Sequence, residues 1–307
     1  MLLFAFVQAL VLLAIAPLFS GISRVIKARM QSRRGSGVLQ EYRDLYKLLK
    51  RQDVAPKAAG FISRIMPFVL ISTMLVVAMA LPIVTLGSPF GAGGDLITVI
   101  YLFALNRFFF SLAGLDSGST FAGIGASREM TLGVLVEPIL VLSLLVIALL
   151  AGSTNLGSIS TMLASKPLQS PCATLLAIAA CAFAVFIEMG KIPFDVAEAE
   201  QELQEGPLTE YSGASLALVK LGLALKQIVI VSLFVGVLLP FGNSSELSAG
   251  SLLIAIVLFF IKLLAVFVIA SLFENSMARG RFLLTSRTTW AGFGVAALAF
   301  VFYLTGL

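Results

Sequence analysis

The sequence has no histidine, two cysteines and one tryptophan, and only 12% of its 307 residues are charged. Each scarcity excludes something. Histidine and cysteine are the main protein ligands of transition metals, and iron–sulfur clusters are held by several thiolates. A chain with Cys172 and Cys181 alone therefore builds no conventional cluster, no histidine-ligated haem and no ordinary zinc site. Ser-His-Asp and Cys-His catalytic devices are excluded for the same reason. No active site and no cofactor of its own is the expectation. The two cysteines lie on one apolar stretch at a spacing that sets them on opposite sides of a helix, so both are read as packing residues. The shortage of charge excludes a water-facing surface. Soluble domains are roughly 25% charged and 45–50% apolar, whereas this chain is 59% hydrophobic with a mean hydropathy of +1.04. No internal repeat is visible, and no soluble domain separates the apolar runs.

Those runs predict an all-α polytopic membrane protein, residues 1–307 forming one integral membrane domain. A spanning helix needs about 20 mostly apolar residues. Eight stretches qualify, near 2–22, 66–86, 96–115, 131–151, 172–190, 221–240, 250–272 and 289–306. Asp95 is placed to cap the third, and Pro240, Phe241, Gly242 and Asn243 close the sixth. Cations follow the first run and do not precede it, which favours a retained anchor over a cleaved signal.

Lys and Arg set the expected orientation. Segment 24–64 has eleven of the 21 cations, and the loops after spans three, five and seven bring that side to seventeen; the opposite loops have Lys166 alone. This bias puts the basic side in the cytoplasm and both termini outside. The net charge of +5 is thus concentrated where anionic lipid and partner proteins are, and is no nucleic-acid signature. Within the basic loop, Val38, Tyr42, Leu45, Tyr46 and Leu49 recur at helical spacing, which predicts an amphipathic helix on the membrane surface or under a docked subunit. Trp290 suits an interfacial anchor at the start of the last span.

The loop 188–220 is acidic. Seven of the chain's 16 acids (Glu188, Asp195, Glu198, Glu200, Glu202, Glu205 and Glu210) fall within 24 residues, with Lys191 the one cation nearby in sequence. Pro193 and Asp195 suit a helix start and Gly206-Pro207 its end. At about 100° per residue Asp195, Glu198, Glu202 and Glu205 share one face, with Glu200 elsewhere. Such a face is either simply solvated or, crowded beside a low-dielectric medium, a set of carboxylates with raised proton affinity that handles protons. Arg107, Glu137, Lys226 and Lys262 also lie inside predicted spans. Glu137 falls seven residues into its span, about 10 Å deep, and is read as functional. Lys226, near a span end, is read as reaching toward the headgroups. Arg128 and Glu129 are read as a local pair at a span mouth.

The segment IPFDVAEAEQELQEGPLTEYSG closely resembles part of the membrane subunit that anchors the peripheral arm of respiratory complex I. RRGSGVLQEYRDLYKLLKRQ resembles the first cytoplasmic loop of that family, and GASREMTLGVLVEP its fourth-span region. The resemblance covers essentially the whole chain. FENSMARGRFLL and the wording of the acidic loop resemble the membrane subunits of energy-converting nickel–iron hydrogenases of the formate hydrogenlyase and hydrogenase-4 type. One departure is Ser36, where those relatives usually have proline.

The resemblance implies a subunit of the bacterial inner membrane that anchors a peripheral hydrogenase arm and couples it to proton movement. Its implied partners are the hydrogenase large and small subunits, iron–sulfur proteins, antiporter-like membrane subunits and a formate dehydrogenase. The nickel–iron centre and iron–sulfur clusters are expected on those partners. Glu137, Glu188, Asp195, Glu198, Glu202 and Glu205 match carboxylates in or near a proposed proton-transfer path, and Glu210 joins them as a candidate by its place in the loop. Arg33, Arg34, Glu41, Arg43 and Asp44 are the docking candidates. The alternatives are a quinone-facing subunit of a complex I-type dehydrogenase and a stand-alone ion transporter.

Overall fold

The structure, a computed structural model, describes residues 2–165, 170–197, 200–244, 248–280 and 282–306. Among these, eight helices are long and apolar enough to cross a membrane, and no strand forms. In chain order the helices are α1 (Leu2–Met30), α2 (Gln40–Leu49), α3 (Phe61–Ala80), α4 (Leu96–Asp116), α5 (Thr120–Ala151), α6 (Leu156–Ser165), α7 (Pro171–Glu188), α8 (Glu200–Leu203), α9 (Gly213–Leu233), α10 (Ala249–Ser276) and α11 (Phe282–Thr305). The spans are α1, α3, α4, α5, α7, α9, α10 and α11. All eight predicted runs are found. The chain is a multi-pass membrane protein.

Local chemistry sets the ends. The Asp95 carboxylate accepts from the backbone N–H of Ile97 at 3.1 Å, capping α4 as expected. Gly152, at φ 67°, closes α5 in the left-handed conformation that glycine adopts without a Cβ clash. Pro171 opens α7, where its missing N–H leaves no intrahelical bond unmade. A π-turn at Phe234–Leu238 extends α9. The short helix α6 escaped the sequence reading because ten residues cannot span a bilayer.

Apolar side chains gain little by leaving lipid for one another, so close backbone approach drives the packing. On α7, Ala173, Ala177, Ala180 and Ala184 are fully buried at helical spacing, and α7 packs against α5 and α11 along this small-residue stripe. Helices α3, α4 and α9 form the other half of the bundle, with α1 laid over α3 and α9. The sixth span is the centre: 72% of its apolar window is buried, against 22% for α10 and for the last span. Helix α10 rests mainly on α1, where the Phe19 and Phe267 rings meet at 5.1 Å.

Three expectations need correction. Helix α5 begins at Thr120, eleven residues before the predicted start, because Ala122, Gly125 and Ala126 are small enough to pack beneath the acidic loop. Glu137 is therefore near mid-helix, about 26 Å from the first residue of α5 at 1.5 Å rise, and not about 10 Å from the end. Among the described residues from 195 to 205, the acidic loop is helical only at Glu200–Leu203. Gln204, Glu205 and Gly206 follow with φ of 50°, 71° and 55°, and Val196, Ala197, Leu203 and Leu208 turn inward. Burying those apolar residues outweighs a regular helix, and Asp195, Glu202 and Glu205 turn to separate partners and clefts. Cys181 is buried as expected, whereas Cys172 is exposed at the start of α7.

Candidate functional site

Four spans bring a charged hub together at the loop-side end of the bundle. Arg107 of α4 uses all three guanidinium nitrogens. Nε donates to Glu129 at 3.2 Å, Nη1 to Glu137 at 2.9 Å, and Nη2 to Glu188. Lys226 of α9 closes the set, 3.3 Å from Glu188 and 3.7 Å from Glu129. Arg107 and Glu188 are buried, Lys226 and Glu129 nearly so; the Glu137 side chain, 38% exposed, brings the hub to the flank of the bundle.

Helix geometry explains the arrangement. Glu129, Gly133 and Glu137 succeed one another at i, i+4 and i+8, on one face of α5. Gly133 lies where the arginine passes: a Cβ there would fall 2.5 Å from Arg107 Cδ and 2.8 Å from Nη1. The bare backbone lets the guanidinium lie between the two glutamates. Glu188, the last residue of α7, meets it from the opposite side.

A cavity of about 70 Å³ borders the hub, lined in part by Arg107, Glu129, Glu188, Asp195, Lys226 and Gln227. A polar space of that size has room for a few waters. It leads to Asp195, which pairs with Arg279. Burial raises the Asp195 carboxyl above the ordinary aspartate value, against the opposing pull of Arg279. Beyond lies a smaller crevice where Arg128 holds Glu202 at 2.5 Å.

The predicted site residues thus divide. Glu188 and Asp195 line one polar cavity, Glu137 joins it only through Arg107, and Glu202 lines the adjoining crevice. Glu205 instead lines a cleft of about 490 Å³ between α1, α2 and α9. Glu210 is half-exposed and enters no ion pair among the described residues. Glu198 lies outside the described residues. Of the docking candidates, Arg33, Arg34 and Arg43 are exposed. Glu41 is held by Arg24, and Asp44 by Gln40 at 2.8 Å. The amphipathic helix forms as α2, tied to α1 by the Tyr42 hydroxyl donating to the Ala14 carbonyl at 2.5 Å, with Tyr46 and Leu49 exposed.

Sequence reasoning misplaced two hub members. Lys226 does not reach for headgroups, because two buried carboxylates offer a better partner. Glu129 is not a local partner of Arg128: one helical step turns the two side chains apart, Arg128 to Glu202 and Glu129 to Arg107. The Glu-x3-Gly-x3-Glu spacing was the available signal for Glu129. Lys262, in α10, donates to the Leu239 carbonyl at 2.7 Å. Among the described residues, no group of three or more His, Cys, Asp or Glu could hold a metal ion.

Fold and site define a polytopic helical membrane subunit with a buried ionic hub at its loop-side end. The sequence matches the NADH dehydrogenase family over residues 2–305, and the chain belongs to that family. It is 64% identical over 305 residues to hydrogenase-4 component C of Escherichia coli (strain K12), covering 99% of this chain and 96% of that one. It is 57% identical to formate hydrogenlyase subunit 4 of the same organism, with 97% of each chain covered. An NADH-quinone oxidoreductase subunit from Thermomicrobium roseum is 31% identical, with 76% of this chain and 77% of that one covered. Among solved structures, a chain of the membrane-bound sulfane sulfur reductase, an archaeal respiratory membrane complex, superposes with a TM-score of 0.81 at 25% identity, covering 97% of this chain and 99% of that chain. The closely related chains are membrane subunits of hydrogenase complexes, and the fold is complex I-like.

Proposed function

We propose that this chain anchors a peripheral nickel–iron hydrogenase arm to the bacterial inner membrane and couples its turnover to proton movement. The observation that supports coupling is the hub: three carboxylates on two cations, most of them buried, opening on a polar cavity. Such groups are expensive in a bilayer, roughly 2.5–3.5 kcal/mol each at its centre on the insertion scale, and characteristically mark proton or ion routes. Glu137 on the flank gives the hub an edge toward a neighbouring membrane subunit. Arg33, Arg34, Arg43 and the outward Tyr46 and Leu49 give the soluble arm a basic, partly apolar landing surface. Iron–sulfur proteins, the hydrogenase large and small subunits, antiporter-like subunits and a formate dehydrogenase complete the assembly and hold every redox metal. In this reading both termini face the periplasm, and the loops 24–64 and 188–220 face the cytoplasm.

The test is Glu188→Gln and Glu137→Gln in the assembled complex. Each substitution neutralises one carboxylate and leaves Arg107 two others. Assembly is expected to survive while proton movement coupled to hydrogen evolution falls; undiminished coupling in both variants would remove the hub from the path. Quinone-dependent activity lost on substitution along residues 33–51 would instead favour a quinone-facing subunit.

A further inference from the structure

A second buried ionic cluster lies at the inner end of α1 and α10. Glu274, near the end of α10, is buried and holds the Lys27 ammonium of α1 at 2.9 Å. Lys191, three residues after Glu188, approaches the same carboxylate at 3.7 Å. Lys191 also donates to the Ser23 hydroxyl at 3.0 Å, and Ser23 shares a 2.7 Å hydrogen bond with Ser271; both serines are buried.

The charges here do not balance. Two ammonium groups face one carboxylate, a net +1 among the described residues. The hub has the opposite excess: Arg107 and Lys226 against Glu129, Glu137 and Glu188 give 2 − 3 = −1 among the described residues. The charged neighbours of the second cluster cancel within their own pairs. Glu41, on α2, is held by Arg24, and Asp195 by Arg279. Two weakly hydrated clusters of opposite excess charge are therefore linked by the few residues between Glu188 and Lys191, and in a low dielectric each excess steadies the other.

Neutralising one cluster leaves the other with an uncompensated charge. In the second cluster the group best placed to give way is Lys191. Burial lowers its proton affinity below the ordinary lysine range against the pull of Glu274, and the like charge of Lys27 lowers it further. Its side chain is 13% exposed, against 35% for Lys27. Lysine sheds a proton when desolvated, as arginine does not.

We propose that Lys191, set between Glu274, Lys27 and Ser23, is a proton-exchange site that releases a proton when the hub takes one up. The inference rests on the proton-coupling reading above. In the step, a proton from the cavity forms an O–H bond on a hub carboxylate, and the hub passes from −1 to 0. The Nζ–H bond of Lys191 then breaks, and its proton goes to solvent water on the loop side past the partly exposed Lys27. The second cluster passes from +1 to 0. One proton enters, one leaves, and the pair is neutral before and after, carrying +1 only between the two events. Reprotonation of Lys191 accompanies proton loss from the hub.

The experiment uses membrane vesicles bearing the whole complex, with hydrogen evolution and proton movement followed across pH. Lys191→Arg keeps the charge and the Glu274 pair but holds its proton; it should assemble normally, lose at least about tenfold in proton movement, the scale of a positioned acid–base group, and lose the alkaline limb of the pH profile. Glu274→Gln removes the counter-ion and should shift that limb to lower pH, with Glu274→Asp restoring it. A merely structural role would change the amount of complex and leave the limb in place. Unchanged proton movement in Lys191→Arg, with Glu188→Gln defective, overturns the inference and leaves the coupling reading standing. Should Lys191→Arg not assemble, an unmoved limb in Glu274→Gln overturns it instead. Unchanged behaviour in Lys191→Arg and Glu188→Gln together overturns both.

Discussion

Arg107 is worth more to this molecule than any one of its partners. Three carboxylates converge on its guanidinium, and removing it leaves them facing Lys226 alone. Stripping the partner from a buried ion pair costs about 3–5 kcal/mol. Arg107→Gln should therefore lower the melting temperature of the detergent-extracted chain sharply, whereas Glu188→Gln, which brings the hub to neutrality, should not. Equal melting of the two variants would contradict this asymmetry. Asp195 gives a pH-dependent counterpart. Burial raises its folded value above 3.8 despite Arg279, so the fold binds this proton more tightly than the unfolded chain does. The contribution is fully present below the unfolded value and is lost as pH rises through the raised folded value. Asp195→Asn imitates the protonated acid. It should match the parent at acidic pH and melt higher at neutral pH; a lower neutral melting temperature would mean that the Arg279 pair outweighs burial.

At the scale of elements, glycine decides how closely helix and loop approach. A Cβ on Gly133 would displace the Arg107 side chain, so Gly133→Ala should impair coupling without changing any charge, and normal coupling in that variant would show that the arginine can yield. Gly206, at φ 55°, lies with its would-be Cβ 2.0 Å from the Ala197 carbonyl oxygen. Gly206→Ala combines a left-handed backbone with a clash against backbone, and strain of the first kind alone costs of order 1–3 kcal/mol. The loop around Asp195 should then open to protease while the spans stay folded. On the docking side, α2 buries none of its residues, so its outward face belongs to a partner in the proposed reading. Arg33→Ala with Arg34→Ala should release the hydrogenase arm at moderate salt and leave the membrane domain intact, as measured by co-purification.

Across the whole molecule, the spans were legible because lipid imposes a length and a composition that the sequence must meet. Every predicted run reappears, with ends displaced by several residues in α1, α3, α9 and α11 and by eleven in α5, where Ala122, Gly125 and Ala126 let the helix continue under the loop. Acidic crowding near Glu188 was legible too. Its pairing was not: Arg107, Lys226, Arg128 and Arg279 come from four other segments, and no local spacing announces contacts 38 (226 − 188) to 84 residues apart. Periodicity then misled in the acidic loop, because a helical pattern of carboxylates competes with apolar residues that gain more by turning inward. Orientation is a prediction at this scale. Single cysteines placed in 24–64 and in 188–220 should label from the cytoplasmic side only, and labelling from the periplasm would reverse the membrane sidedness of the proposed assembly.

The π-turn at Phe234–Leu238 has a consequence for register. Such a turn holds one residue more than an α-turn, and here it precedes the Leu239 carbonyl that Lys262 engages. The wide turn absorbs that residue locally, so deleting one residue within it would let the helix rewind as regular α while the segments on either side keep their facing. The extra residue acts as slack at the end of the central helix, just before the carbonyl that α10 grips.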